Sequence, residues 1–232
     1  MSAATVILVP PPCGSSAVWK RVAKLLDELG VPSVAVELPS GLPQSEISDV
    51  ECLRSVLDSH GGDLVLAGHS SGCAPVTEVG CHAAVRHLIY VDGPLWEAGE
   101  PWDLVFKGGV AEEFAKCFRF RPGVTELDTD RLSEYLRSRG WPAGDVQEFL
   151  PGCVPYRHAA GTFSLTVAAW RTVPSTYIRP LDSEDKPHVQ DVFAARASEV
   201  IEIEGDHFPH WRRPREVAEI FARIARQVGS AA

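Results

Sequence analysis

No stretch of this chain reaches the roughly 18–20 consecutive apolar residues that a membrane-spanning helix needs. The start is equally short of targeting signals. Met1-Ser2-Ala3-Ala4-Thr5 runs straight into Val6-Ile7-Leu8-Val9, without the charged opening and longer apolar stretch of a cleavable leader, so a cytoplasmic location is expected. Positive charge is scarce: 22 Lys and Arg against 31 Asp and Glu leave a net charge of −9. That balance argues against a nucleic-acid surface, which would need a basic face. Paired cysteines are missing too. Cys13, Cys52, Cys73, Cys81, Cys117 and Cys153 are scattered with no Cys-x-x-Cys, which suits neither a zinc site nor a disulfide framework. They read as reduced thiols of a cytosolic protein. Internal repeats and low-complexity segments are absent as well.

What is present is ordinary globular composition, 45% hydrophobic and 23% charged, on a chain of 232 residues. That length suits one large domain, or a core domain carrying an insertion. Short β-branched runs alternate with amphipathic helices, the pattern of a parallel sheet covered on both faces. Thr5–Val9, Ser33–Val36, Asp63–Ala67, His87–Val91, Ser175–Ile178 and Val200–Ile203 are the expected strands. A helix after the first strand carries Val18, Val22, Leu25, Leu26 and Leu29 on one stripe and ends at Gly30. Others are expected over Ser48–His60, Pro187–Ala197 and Arg215–Val228. The expected fold is therefore α/β, a mostly parallel sheet of about six strands with helices on both faces. Residues 1–92 and 172–232 form its core.

Residues 93–171 break the alternation. They read as several short helices without strand patterns, including Ala111–Cys117, Asp130–Ser138 and Gly144–Phe149. Twelve of the nineteen aromatics fall here. Left exposed, they would invite aggregation, so the segment is expected to fold back as a helical lid over the sheet.

Chemistry concentrates at a few positions. Gly68-His69-Ser70-Ser71-Gly72 follows a strand and opens a helix, the context of a nucleophile elbow. The glycines let the backbone turn sharply, and the helix N-terminus offers N–H groups to a developing oxyanion. Ser70 is the candidate nucleophile. It needs a base, and His207, in the loop after the last strand, lies at the same edge of the sheet. The base needs a carboxylate. Asp182, four residues beyond the Ser175–Ile178 strand, completes the order Ser…Asp…His, with Asp185 and Glu184 as rivals in the same acidic cluster.

Elbow, late acid and late histidine together resemble the α/β-hydrolase superfamily. The chain is most similar to its small-lid branch of hydroxynitrile lyases, methyl-salicylate-type esterases and bacterial hydrolases. The matching parts are Val6–Trp19, Gly68–Gly72, Val173–Pro187 and Gly205–Pro214. One stretch departs. Relatives usually carry His-Gly after the first strand, and the next residue donates a backbone N–H to the oxyanion. Here Pro10-Pro11-Pro12-Cys13-Gly14 puts Pro12, which has no N–H, at that place. The hole would rest on the N–H of Ser71, with help from Cys13 N–H or a hydroxyl of Ser15 or Ser16.

The resemblance implies a cofactor-independent serine hydrolase, without a metal, acting on an ester or thioester of a small apolar molecule. His69, Trp102 and Trp170 are the candidate substrate-binding residues. The expected partner is that small molecule, with neither nucleic acid nor membrane, and the chain is compatible with a homodimer. Two other readings stay open: a non-hydrolytic acid/base enzyme on the same fold (lyase, cyclase or isomerase), and a catalytically silent ligand-binding relative.

Overall fold

The computed structural model describes residues 3–41, 48–100, 109–157 and 165–231. Nine strands and nine α-helices are found among them, besides short 3-10 helices. The strands are β1 (Thr5–Val9), β2 (Ser33–Ala35), β3 (Leu64–His69), β4 (Val85–Val91), β5 (Phe118–Arg121), β6 (Val124–Leu127), β7 (Tyr156–Arg157), β8 (Ser175–Pro180) and β9 (Glu199–Ile203). The helices are α1 (Lys20–Glu28), α2 (Asp49–Ser59), α3 (Cys73–Val79), α4 (Glu112–Ala115), α5 (Thr129–Ser138), α6 (Ala143–Phe149), α7 (Pro187–Ala194), α8 (Pro209–Arg212) and α9 (Pro214–Ala231). No helix among the described residues is long and apolar enough to cross a membrane.

Six strands form one parallel sheet in the order β2-β1-β3-β4-β8-β9. Side chains alternate across a strand, so each buried run supplies two cores. Val6, Leu8, Val65, Ala67, Ile89, Val91 and Ile178 face α1 and α9, meeting Val22, Leu26, Val217 and Phe221. Ile7, Val9, Leu64, Leu66, Leu88 and Tyr90 face the other way, onto Leu53 and Leu57 of α2, Val76 of α3 and Phe193 of α7. Because the strands are parallel, every strand-to-helix loop emerges at the same edge. Residues 10–15, 70, 92–93, 181–186 and 204–208 are thereby gathered at the carboxyl ends of β1, β3, β4, β8 and β9.

The segment between β4 and β8 corrects one expectation. Besides α4, α5 and α6 it holds a three-stranded antiparallel sheet, β5-β6-β7. The signal was in the sequence: Phe118-Arg119-Phe120-Arg121 alternates with period two. Pro122-Gly123 then turns the chain, with Gly123 at φ 73°.

Candidate active site

Ser70 stands where β3 gives way to α3. A single 3-10 turn spans Ser70–Gly72, and Ser70 takes φ 52°. That left-handed conformation costs a residue with a side chain about 1 kcal/mol or more. The flanking glycines answer to close packing. A Cβ on Gly72 would overlap the Pro10 carbonyl oxygen, and one on Gly68 would stand 2.9 Å from Val76 Cγ2. A third glycine, Gly93, sits under the turn from the β4 loop. A Cβ there would overlap Cys73 Sγ and lie 2.5 Å from the Ser70 carbonyl oxygen. Ser71, next in the turn, carries an N–H at the start of the helix, where the dipole favours negative charge.

His207 is buried at the same edge, and every polar group of its backbone is held. Its N–H donates to Glu184 Oε2 at 2.8 Å, and its carbonyl accepts from His69 Nε2 at 2.7 Å. Its ring Nδ1 lies 2.6 Å from Asp92 Oδ2. Asp92 is the residue after β4, itself at positive φ and fully buried. Its carboxylate also accepts from Ser183 Oγ at Oδ2 and, at Oδ1, from Gln190 Nε2 at 2.9 Å and the Tyr177 hydroxyl at 3.5 Å. Burial opposes a charge on His207. The hydrogen bond and charge of Asp92, with Asp185 and Glu184 behind it, outweigh that and hold its pKa up to about 9.

Asp182 is therefore not the carboxylate on His207. Beyond β8 the chain keeps pairing with the β9 side: Leu181 N–H donates to Ile203 O and Asp182 N–H to Gly205 O. That register turns the Asp182 side chain outward, 72% exposed, onto Arg139 at 2.8 Å. The next turn brings Glu184 and Asp185 inward instead, and both are buried. Asp92 and Gly93 are the site residues that the sequence reading missed. Val91-Asp92-Gly93 looks like any strand end, and the contact with His207 spans 115 positions.

The substrate-binding candidates are also placed elsewhere. His69 is fully buried behind the elbow, its ring centroid 4.7 Å from that of His207 and 4.3 Å from that of His210. Its β-strand position points it into the core rather than toward a pocket. Trp170 lies before β8, donates from Nε1 to the Trp96 carbonyl at 2.8 Å and packs against Arg171 and Arg196. Arg196 precedes β9, so this is the amino edge of the sheet, opposite Ser70. Trp102 lies outside the described residues.

The loop after β1 forms a turn in which Gly14 N–H donates to Pro11 O at 3.0 Å. Pro12 supplies the first central position, and Cys13, at φ 63°, the second, as a type II turn requires. Ser15 N–H donates to Gly152 O at 2.8 Å and Ser16 N–H to Glu37 Oε2 at 3.0 Å. The Ser15 hydroxyl is also spent on Gly152 O, at 3.2 Å. Since three prolines bring no N–H, Cys13 N–H is the backbone donor this loop has left to offer an oxyanion. Its carbonyl accepts from Val154 N–H at 3.0 Å, tying the loop to the inserted segment. The Cys13 thiol is no rival nucleophile: burial pushes it up to about 12.

Asp92, Asp185 and His207 each offer one ligand atom within 4.8 Å of the others, the geometry a cation could use. With Nδ1 at hydrogen-bond distance from Asp92, the arrangement is that of a base held by a carboxylate.

A strained serine at a strand-to-helix turn, with a carboxylate-held histidine on the same edge of a parallel sheet, is the layout of an α/β-hydrolase. The chain belongs to the alpha/beta hydrolase family, whose model matches residues 6–220. It is 23% identical over 242 aligned positions to a protein of Phoma sp. named probable hydrolase R7, covering 95% of this chain and 97% of that one. In structure it is similar to a pyrethroid hydrolase from Sphingobium faniae JZ-2, with 22% identity, coverage of 96% and 97%, and a TM-score of 0.78. It is also similar to a methylesterase from Arabidopsis, with 20% identity, coverage of 95% and 98%, and a TM-score of 0.76.

Proposed function

We propose that this protein is a cofactor-independent serine hydrolase that cleaves an ester or thioester of a small apolar molecule. The observation that carries the reading is the Asp92–His207 contact of 2.6 Å at the same edge of the sheet as a serine held at φ 52°. Ser70 Oγ attacks the carbonyl carbon, and His207 Nε2 takes the hydroxyl proton. Asp92 holds Nδ1–H and stabilises the imidazolium that forms. Ser71 N–H, with Cys13 N–H from the turn, receives the oxyanion. Collapse of the tetrahedral species returns the proton to the leaving group, and water then releases the acyl group by the same steps. The names of the similar structures, a hydrolase and a methylesterase, support an ester substrate. The aromatic-rich segment between β4 and β8, read as a lid, supports an apolar one.

One observation favours a second reading. Pro12 removes an N–H from the place where relatives keep an oxyanion donor, and loss of one donor typically costs about 10²–10³ in rate. A reaction that needs acid/base exchange without a full oxyanion would tolerate that loss. Covalent capture of Ser70 by a fluorophosphonate, paired with turnover of activated esters, tests the hydrolase reading. Modification of Ser70 with turnover supports it, and an unreactive Ser70 in a folded protein removes it.

A further inference from the structure

Two buried carboxyls, not one, approach the His207 ring. Asp92 reaches it from the end of β4, and Asp185 from the loop between β8 and α7. One oxygen of each and a ring nitrogen of His207 all lie within 4.8 Å of one another. Asp185 is held there from both sides. Its N–H donates to Ser183 Oγ at 2.9 Å, and that same hydroxyl donates to Asp92. Its backbone bridges antiparallel to Val110, through Ala111 N–H to Glu184 O and Lys186 N–H to Gly109 O at 2.8 and 2.7 Å.

We propose that Asp92 and Asp185 share one negative charge beside His207, carried by Asp92 in the resting enzyme and by Asp185 when Asp92 cannot carry it. This rests on His207 being the base of the proposed reaction, and it makes Asp185 a positioning residue that acts through the imidazole. Like charges this close in a buried site do not both ionise freely. Burial first, and then the Asp92 charge, push Asp185 up to about 7. The other groups around it do not supply a compensating cation. Glu184 is acidic, and burial keeps the Cys73 thiol on α3 and the Tyr177 phenol on β8 neutral. Replacing Asp92 by Asn removes the larger like charge and leaves burial and the weaker effect of Glu184 against ionisation, while protonated His207 favours it. Asp185 then loses its proton to solvent and becomes the imidazolium's counter-charge. In turnover the Ser70 proton still travels to Nε2, and Nδ1 keeps its own.

The test is an NMR titration of the His207 imidazole in the free protein, as wild type, Asp92→Asn, Asp185→Asn and the double variant. It needs no substrate, so it answers even if Ser70→Ala keeps its turnover and the hydrolase reading fails. The expected result is a His207 pKa still above 6.5 in Asp92→Asn that falls below it only in the double variant. In parallel, kcat/KM for an activated ester should be about 100-fold higher in Asp92→Asn than in the double variant, within the roughly 10⁴-fold that a triad acid is worth. Equal pKa and equal rate in those two variants would overturn the proposal. Should Asp92→Asn fail to fold, Asp92→Ser takes its place, alone and combined with Asp185→Asn. A His207 pKa that falls only in that double variant supports the shared charge, and an equal pKa in the two overturns it.

Discussion

His69 donates from Nε2 to the carbonyl of His207 across 138 positions of sequence, at 2.7 Å. The residue beside the nucleophile thus pins the backbone of the base. The contact also sets a tautomer: with the proton on Nε2, His69 Nδ1 is a bare acceptor, and it has no partner among the described residues. Burial, then the neighbouring His210 and His207, hold His69 well below its ordinary pKa, so it stays neutral.

His210, its ring tilted against those of His69 and Trp19, has neither ring nitrogen paired among the described residues, and burial drives its pKa down to about 3. Unfolded, it titrates near 6.5. A lowered folded pKa means stability that is complete above pH 6.5 and lost as pH falls toward 3. His210→Phe keeps the ring and removes the penalty. Chemical denaturation should show it more stable than wild type by about 2 kcal/mol at pH 5, with a much smaller gain at pH 8.

Among the catalytic candidates, Ser70→Ala and His207→Ala should each lower kcat by about 10⁴-fold or more with KM little changed, and Asp92→Asn by about 10²-fold. Asp182→Asn, on the surface with Arg139, should stay within about twofold. Steady-state kinetics on an activated ester separates the two acids; an Asp182→Asn loss matching that of Asp92→Asn would reverse their assignment.

The raised pKa of His207 predicts a pH profile. Attack requires the neutral imidazole, so kcat/KM should climb with pH through an apparent value near 9 and fall away below it. Stability runs the opposite way for this group. A folded pKa above 6.5 favours the fold below pH 6.5, and that contribution is lost as pH rises through about 9. A profile already flat from pH 7 upward would show that His207 is not the titrating base.

Gly93 carries no chemistry, yet a Cβ there would collide with the Ser70 backbone and Cys73 Sγ. Gly93→Ala should therefore push the elbow out of register. Its kcat should drop by about 10²-fold or more, while circular dichroism still reports the folded sheet. Wild-type kcat would mean the elbow yields without consequence.

Pro12→Ala restores an N–H at the turn beside Ser70. A donor placed where charge develops stabilises the transition state more than the substrate. With Cys13 N–H already in that role, kcat on activated esters should stay within about twofold, whereas a donor place lost to Pro12 would give a rise of about tenfold, equivalent to about 1.4 kcal/mol. Loss of the Pro10-Pro11-Pro12 rigidity works against the gain. An unchanged kcat in a folded variant assigns the donor role to Cys13 N–H.

Local pattern alone determined the alternation of strands and helices, the strand-turn-helix setting of Ser70 and the edge on which His207 lies, because each depends on neighbours within a few residues. The β5–β6 hairpin was legible in the same way, in Phe118-Arg119-Phe120-Arg121 followed by Pro122-Gly123. Only the tertiary structure decided which carboxylate meets the base. Asp182 and Asp92 both follow strands at the carboxyl edge, and nothing local tells them apart. The continued pairing of Leu181 and Asp182 with the β9 side turns one outward. The positive φ of Asp92 and the hydrogen bonds from Ser183 and Gln190 turn the other onto His207. A side chain's direction at the end of a strand is set by the partners the backbone finds there, and those partners are remote in sequence.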